Sequence, residues 1–139
     1  MTVQTWLIDI TPEECEDLLA ASSLGRLGVV IDGRPEIFPV NHVLDRTTGT
    51  VAFPTNTGTK LHAALHWPFV AYEVDGIAPD GESGWSVLVV GRAEEITDRD
   101  EIERLSRQRH VLWRPGETSR WLRIVPDKVS GRRISAAVR

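Results

Sequence analysis

The sequence predicts an antiparallel β-barrel, closed or partly closed, built mainly from β-structure: about six strands with short helices over its openings. Three observations carry that prediction. Short runs rich in β-branched and apolar residues recur along the chain and are mostly joined by tight turns, which forces neighbours to run antiparallel. One such turn is Asp32-Gly33, a dipeptide that favours the type I′ hairpin. Helical periodicity is confined to three short stretches.

Taken in order, the first helix starts at Thr11-Pro12-Glu13-Glu14. A hydroxyl cap, a proline at the first helical position and a glutamate three residues on make a capping box. Cys15, Leu18 and Leu19 then share one face, and the helix ends near Ser22-Ser23. Cys15 reads as a small core hydrophobe. Strands follow over 27–31 and 36–40 about the Asp32-Gly33 turn, then over 43–44 and 50–53 about a second turn at 45–49. A short helix fits Thr59 to His66, with Leu61, Ala64 and Leu65 inward. Residues 69–74 and the long run from Trp85 to Ile96 are strands, separated by a polar, glycine-rich loop from Gly76 to Gly84. Thr97 to Glu101 open another helix with Ile102 and Leu105 inward, and residues 120–125 and 128–134 supply the last strand material.

Composition narrows the function. The 139 residues are 41% hydrophobic and 26% charged, the balance of a globular chain with its own core, expected as a single domain over 1–139. There is no apolar run of membrane-spanning length and no basic-plus-apolar leader, so a cytoplasmic protein off the membrane is expected. The lone Cys15 excludes an internal disulfide. Charge is uneven: residues 1–102 carry 6 Lys/Arg against 17 Asp/Glu, whereas residues 103–139 carry 10 against 3. The basic end alternates with Trp121, Leu122, Ile124 and Val129 in strand order. It reads as strand material rather than as a nucleic-acid surface, because the acidic remainder of the chain would repel a polyanion.

No Gly-x-Ser-x-Gly elbow, Walker loop or dinucleotide fingerprint is present. His62 and His66 lie four apart on one helical face but lack a third ligand, so they read as a solvated face and not as a metal site. Catalytic residues therefore cannot be named from motifs. The most informative segment is Phe53-Pro54-Thr55-Asn56-Thr57-Gly58-Thr59-Lys60. It leaves a strand, collects hydroxyls, and enters a helix whose first turn holds one of only two lysines. Unpaired helix-start N–H groups, hydroxyls and an ammonium suit a phosphate. A plain threonine-rich turn would look the same by spacing. Pro39 sits inside a strand pattern, so its backbone is partly unpaired or at an edge; Asn41 or His42 could then present polar groups to a ligand beside an apolar wall, and an ordinary turn-proximal pair would look the same. Trp85 opens the longest strand and offers a flat apolar surface with one N–H donor, to a ligand or to the core.

The runs Leu24-Gly25-Arg26-Leu27-Gly28-Val29-Val30, Gly33-Arg34-Pro35, Phe38-Pro39-Val40-Asn41 and Thr55 to Lys60 resemble the pyridoxamine 5′-phosphate oxidase-like superfamily of flavin-binding split barrels. So do Glu73-Val74-Asp75, Gly84-Trp85-Ser86-Val87, Gly91-Arg92-Ala93-Glu94-Glu95 and Gly131-Arg132-Arg133-Ile134. The resemblance covers nearly the whole chain and rests on the order and spacing of these runs. It implies a homodimer holding FMN in clefts between subunits, acting as an oxidoreductase on a small-molecule substrate. Thr55, Thr59 and Lys60, with Thr57 beside them, match the phosphate-binding turn. Pro39, Val40 and Asn41 match the strand lining the flavin ring and ribityl chain. Trp85 and Ser86 match a segment that approaches the cofactor, from the partner subunit in one arrangement. Many relatives carry an arginine where this chain has Pro54, which removes a bidentate phosphate partner. That departure keeps a deazaflavin cofactor open as the alternative, and beside it a non-catalytic module binding flavin or haem.

Overall fold

A computed structural model describes residues 3–56, 58–108 and 120–138, without the side chains of residues 3–5, 59–61 and 136–138. Its elements are β1 (Val3–Asp9), α1 (Pro12–Ala21), β2 (Leu24–Ile31), β3 (Arg34–Asn41), β4 (Val43–Asp45), β5 (Thr50–Thr55), α2 (Thr59–His66), β6 (Phe69–Ile77), β7 (Ser83–Ile96), α3 (Arg99–Arg107) and β8 (Arg120–Val138). Every pairing among them is antiparallel, in the order β3-β2-β6-β7-β8-β5-β4, with β1 on the far end of β8. The sheet curls into the split barrel that the turn pattern and the resemblance foretold.

The sheet's two edges are consecutive in the chain. β3 ends at Asn41, β4 begins at Val43, and His42 alone joins them. The chain therefore closes the barrel by stepping from one edge to the other, and β3 and β5 come into contact across the seam. Prolines 35 and 39 suit β3 because an edge strand has ladder positions that need no N–H donor.

Alternation builds the core. Leu27 and Val29 of β2, Val70, Tyr72 and Val74 of β6, Val87, Val89 and Ala93 of β7, Val51 and Phe53 of β5, and Leu122 and Ile124 of β8 all turn inward and are buried. α1 is capped as its sequence predicts: the Glu14 N–H donates to Thr11 Oγ1 at 3.2 Å, and Cys15 and Leu19 enter the same core. Burial pushes the Cys15 thiol up, in keeping with a packing role. The opposite faces of β5, β7 and β8 build a second cluster with α3, holding Ala52, Ile96, Trp121 and Leu105.

Five features depart from the sequence expectation. Eight strands form among the described residues, not about six. β1 escaped notice because Trp6, Leu7 and Ile8 break the alternation; it exists only as a partner for β8. The last two runs are one strand in which Asp127 is an extra residue, since Val90 faces Lys128 and Gly91 faces Pro126. The expected loop from Gly76 to Gly84 shrinks to residues 78–82, because Trp85 lies flat on Gly76, where a Cβ would come 2.7 Å from its indole nitrogen. On α2, Ala63 and Ala64 face the core, whereas Leu65 is 39% exposed and not inward: two small side chains let the helix approach the sheet.

Candidate functional site

Inward alternation stops at one mouth of the barrel. Beyond Phe53 on β5 the next inward residue is Thr55; beyond Leu122 on β8 it is Arg120; beyond Ala93 on β7 it is Glu95. Apolar packing thus gives way to a polar rim. Thr55 and Arg120 are direct cross-strand partners. Arg120 donates from Nε to Glu95 Oε2 at 2.6 Å and from Nη2 to Oε1, a side-on pair.

α2 lies over this mouth. It starts just after β5, and at its other end the Ala93 N–H donates to Pro68 O at 2.7 Å. The helix opens at Gly58, which offers no side chain to cap it. The starts of α1 and α3 are capped by Thr11 and Asp98. Uncapped N–H groups at a helix start are the donors an anion takes. Thr55 is buried, with its hydroxyl donating to the neighbouring Asn56 carbonyl at 3.2 Å. Thr57 and the side chains of Thr59 and Lys60 lie outside the described residues. Pro54 is turned the other way, paired with Trp121 on the α3 side of the sheet.

The strand expected to line a ring runs along the seam. Pro39 is exposed on the outer face, Val40 is buried inward, and Asn41 is half-buried outward. A buried polar network pins this strand. The Val40 carbonyl accepts from the Tyr72 hydroxyl at 3.1 Å, and that hydroxyl meets His42 Nδ1 at 2.5 Å. His42 Nε2 lies 2.9 Å from the Leu19 carbonyl, which can only accept, so Nε2 carries the proton. Burial lowers the His42 pKa, against the Leu19 hydrogen bond that raises it, and burial drives the Tyr72 hydroxyl far upward. Both are therefore neutral near pH 7. His42, read from sequence as a group that could face a ligand, is instead internal structure.

Trp85 turns to the core side of β7, opposite Arg133, whereas Ser86 faces outward between Asp75 and Arg132. On that outer face Pro39 pairs with Arg26, which in turn pairs with Glu73. Arg26 also bridges to Glu73 and Asp75, each at 3.1 Å. The fold thus brings β3 into contact with β5, and keeps Ser86 on the same outer face as Pro39, with an ionic cluster between them. Sequence reasoning missed the pairing of Glu95 with Arg120. They are 25 residues apart, and only the register brings them together. Other described arginines of the basic end are also engaged: Arg123 with Glu101 at 2.5 Å and Glu94 at 3.3 Å, Arg133 with Glu14. A separate pocket of about 330 Å³ opens outside the seam between the end of α1 and β4, lined by Ser22, His42, Asp45 and Arg46. Pro39, Val40, Asn41, Thr55, Trp85 and Ser86 do not line it.

Comparison with known proteins agrees with this architecture. A family model described as pyridoxamine 5′-phosphate oxidase matches residues 11–133. Uncharacterized protein Rv0080 of Mycobacterium tuberculosis is 32% identical over 135 residues, covering 94% of this chain and 87% of the relative. Among solved structures, the FAD binding protein from Mycobacterium smegmatis is 32% identical with a TM-score of 0.76, covering 92% of this chain and 98% of that one. An FAD-binding protein from Mesorhizobium loti is 26% identical with a TM-score of 0.81, covering 95% and 99%.

Proposed function

Because this chain belongs to the pyridoxamine 5′-phosphate oxidase family, we propose that it is a homodimeric flavin-nucleotide-dependent oxidoreductase acting on a small molecule. The observation that carries the reading is the polar barrel mouth, with Thr55 and an uncapped helix start side by side, in a chain matched by that family over residues 11–133. Two similar structures are described as FAD-binding, which widens the cofactor class from FMN to either flavin nucleotide.

In this reading the start of α2, with Thr55, Thr57, Thr59 and Lys60, holds the phosphate. Pro39, Val40 and Asn41 line the ring and ribityl chain from the seam. Trp85 and Ser86 approach from the partner copy. A bound flavin supplies the electron transfer itself; the chain's part is to hold and orient it and to keep water away. Leu24, Ile37, Phe69 and Leu88, between 40% and 70% exposed on the outer sheet face, give a second copy an apolar surface to cover.

Titration of the purified protein with FMN, FAD and riboflavin, followed by flavin fluorescence, tests the proposal. Saturable binding at one nucleotide per subunit is expected. Lys60→Ala should weaken FMN binding by about tenfold, the worth of one charge-assisted contact. A wild-type protein that ignores all three flavins refutes the reading, and Lys60→Ala with unchanged FMN affinity refutes the placement of the phosphate.

A further inference from the structure

We propose that Arg120 supplies a guanidinium that grips the cofactor phosphate. The inference rests on the flavin-nucleotide reading above and names a residue that reading does not use.

Three features of the rim support it. First, Arg120 stands directly across from Thr55, and paired residues on adjacent strands share a face at a spacing of about 4.7–4.9 Å. Its side chain therefore emerges at the mouth where β5 hands over to α2. Pro54 faces the α3 cluster with Trp121, so in this fold a side chain at 54 points away from Thr55.

Second, Arg120 is oriented by Glu95 and keeps donors that meet no partner among the described residues. Glu95 takes Nε and one hydrogen of Nη2. Nη1 and the other Nη2 hydrogen, three of the five donors of a guanidinium, have no partner among the described residues. Arg123, by contrast, is 16% exposed and wedged between Glu94 and Glu101. Arg120 is 44% exposed, so its free edge reaches solvent at the rim.

Third, Glu95 is 22% exposed and sits on the rigid inner face of β7, so the arginine is held by a carboxylate that is itself fixed. A planar fork held from one side presents its other side to a phosphate with little further loss of freedom.

The test compares FMN with riboflavin, which share a ring and differ by the phosphate, on the full-length wild type and Arg120→Ala. The wild type should prefer FMN. Arg120→Ala should lose about tenfold to a hundredfold in FMN affinity with riboflavin affinity unchanged, so that the preference collapses. If Arg120→Ala does not fold, Arg120→Gln keeps one donor toward Glu95 and is judged by the same ratio. A wild type that binds neither flavin overturns the flavin reading and this inference together. A wild type that prefers FMN, with a variant that keeps the preference in full, overturns the role of Arg120 alone, as does a wild type that binds both flavins equally.

Discussion

Replacing Tyr72 by Phe removes one oxygen from the seam that closes the barrel. That hydroxyl is fully buried, 2.5 Å from His42 Nδ1 and 3.1 Å from the Val40 carbonyl. Because His42 Nε2 must donate to Leu19, neutral His42 has a bare Nδ1, and among the described residues Tyr72 is the donor that meets it. The variant leaves the buried His42 Nδ1 short of a donor, at about 1–3 kcal/mol for a group left unsatisfied. Val40 faces Gly25 in the β2–β3 ladder, two residues along from the His42 N–H bond to Ser23, so its carbonyl keeps a backbone donor. The expected loss is about 1–3 kcal/mol, or roughly 3–12 °C in the thermal midpoint for a chain of this size. Urea unfolding followed by tryptophan fluorescence measures the first, and differential scanning calorimetry the second. A loss below about 0.5 kcal/mol, within the range of an ordinary surface change, would refute the seam as a stabilising network. Long-range proton–nitrogen spectra provide a second check, since His42 should appear as the neutral Nε2–H tautomer at pH 7.

The remaining predictions concern acid and packing. His42 has a folded pKa below its ordinary 6.5, so the unfolded chain binds a proton first. Its contribution is intact above pH 6.5 and is lost as pH falls below it, by at most about 1.4 kcal/mol per pH unit until the folded form also titrates. Urea midpoints measured from pH 8 down to pH 5 should show this decline, and a flat profile would remove the buried neutral histidine. Asp45 is also buried; the Arg104 hydrogen bonds, at 3.0 and 2.9 Å, hold its carboxyl below the ordinary carboxylate value. Its stabilisation is present above the unfolded value of 3.8 and lost as pH falls further, so Asp45→Asn should flatten the profile in that acid window. At Gly91, beside the bulge, a Cβ would come 2.1 Å from the Val125 carbonyl; Gly91→Ala should cost about 2 kcal/mol or more, and a neutral result in urea unfolding would contradict the bulge geometry.

Much of this molecule is legible in the chain because its signals are local. The Thr11 cap and Pro12 set the start of α1, Asp32 and Gly33 both adopt the positive φ that their hairpin turn demands, and α2 runs over the expected Thr59–His66. Each of these depends on neighbours a few residues away.

What sequence alone determined is therefore the class of the fold and the antiparallel sense of its strands; it also offered three segments, 39–41, 55–60 and 85–86, as cofactor-binding. What only tertiary structure decided is which residues meet across those segments. β1 became a strand by pairing with β8, the edges met at His42, and Arg120 came to stand opposite Thr55 with Glu95 holding it. A barrel's register is set by closure of the whole sheet, and a shift of one residue would send every side chain on a strand to the other face. No local pattern encodes that choice. It follows from burying one set of faces at once, and it places the arginine at the barrel mouth.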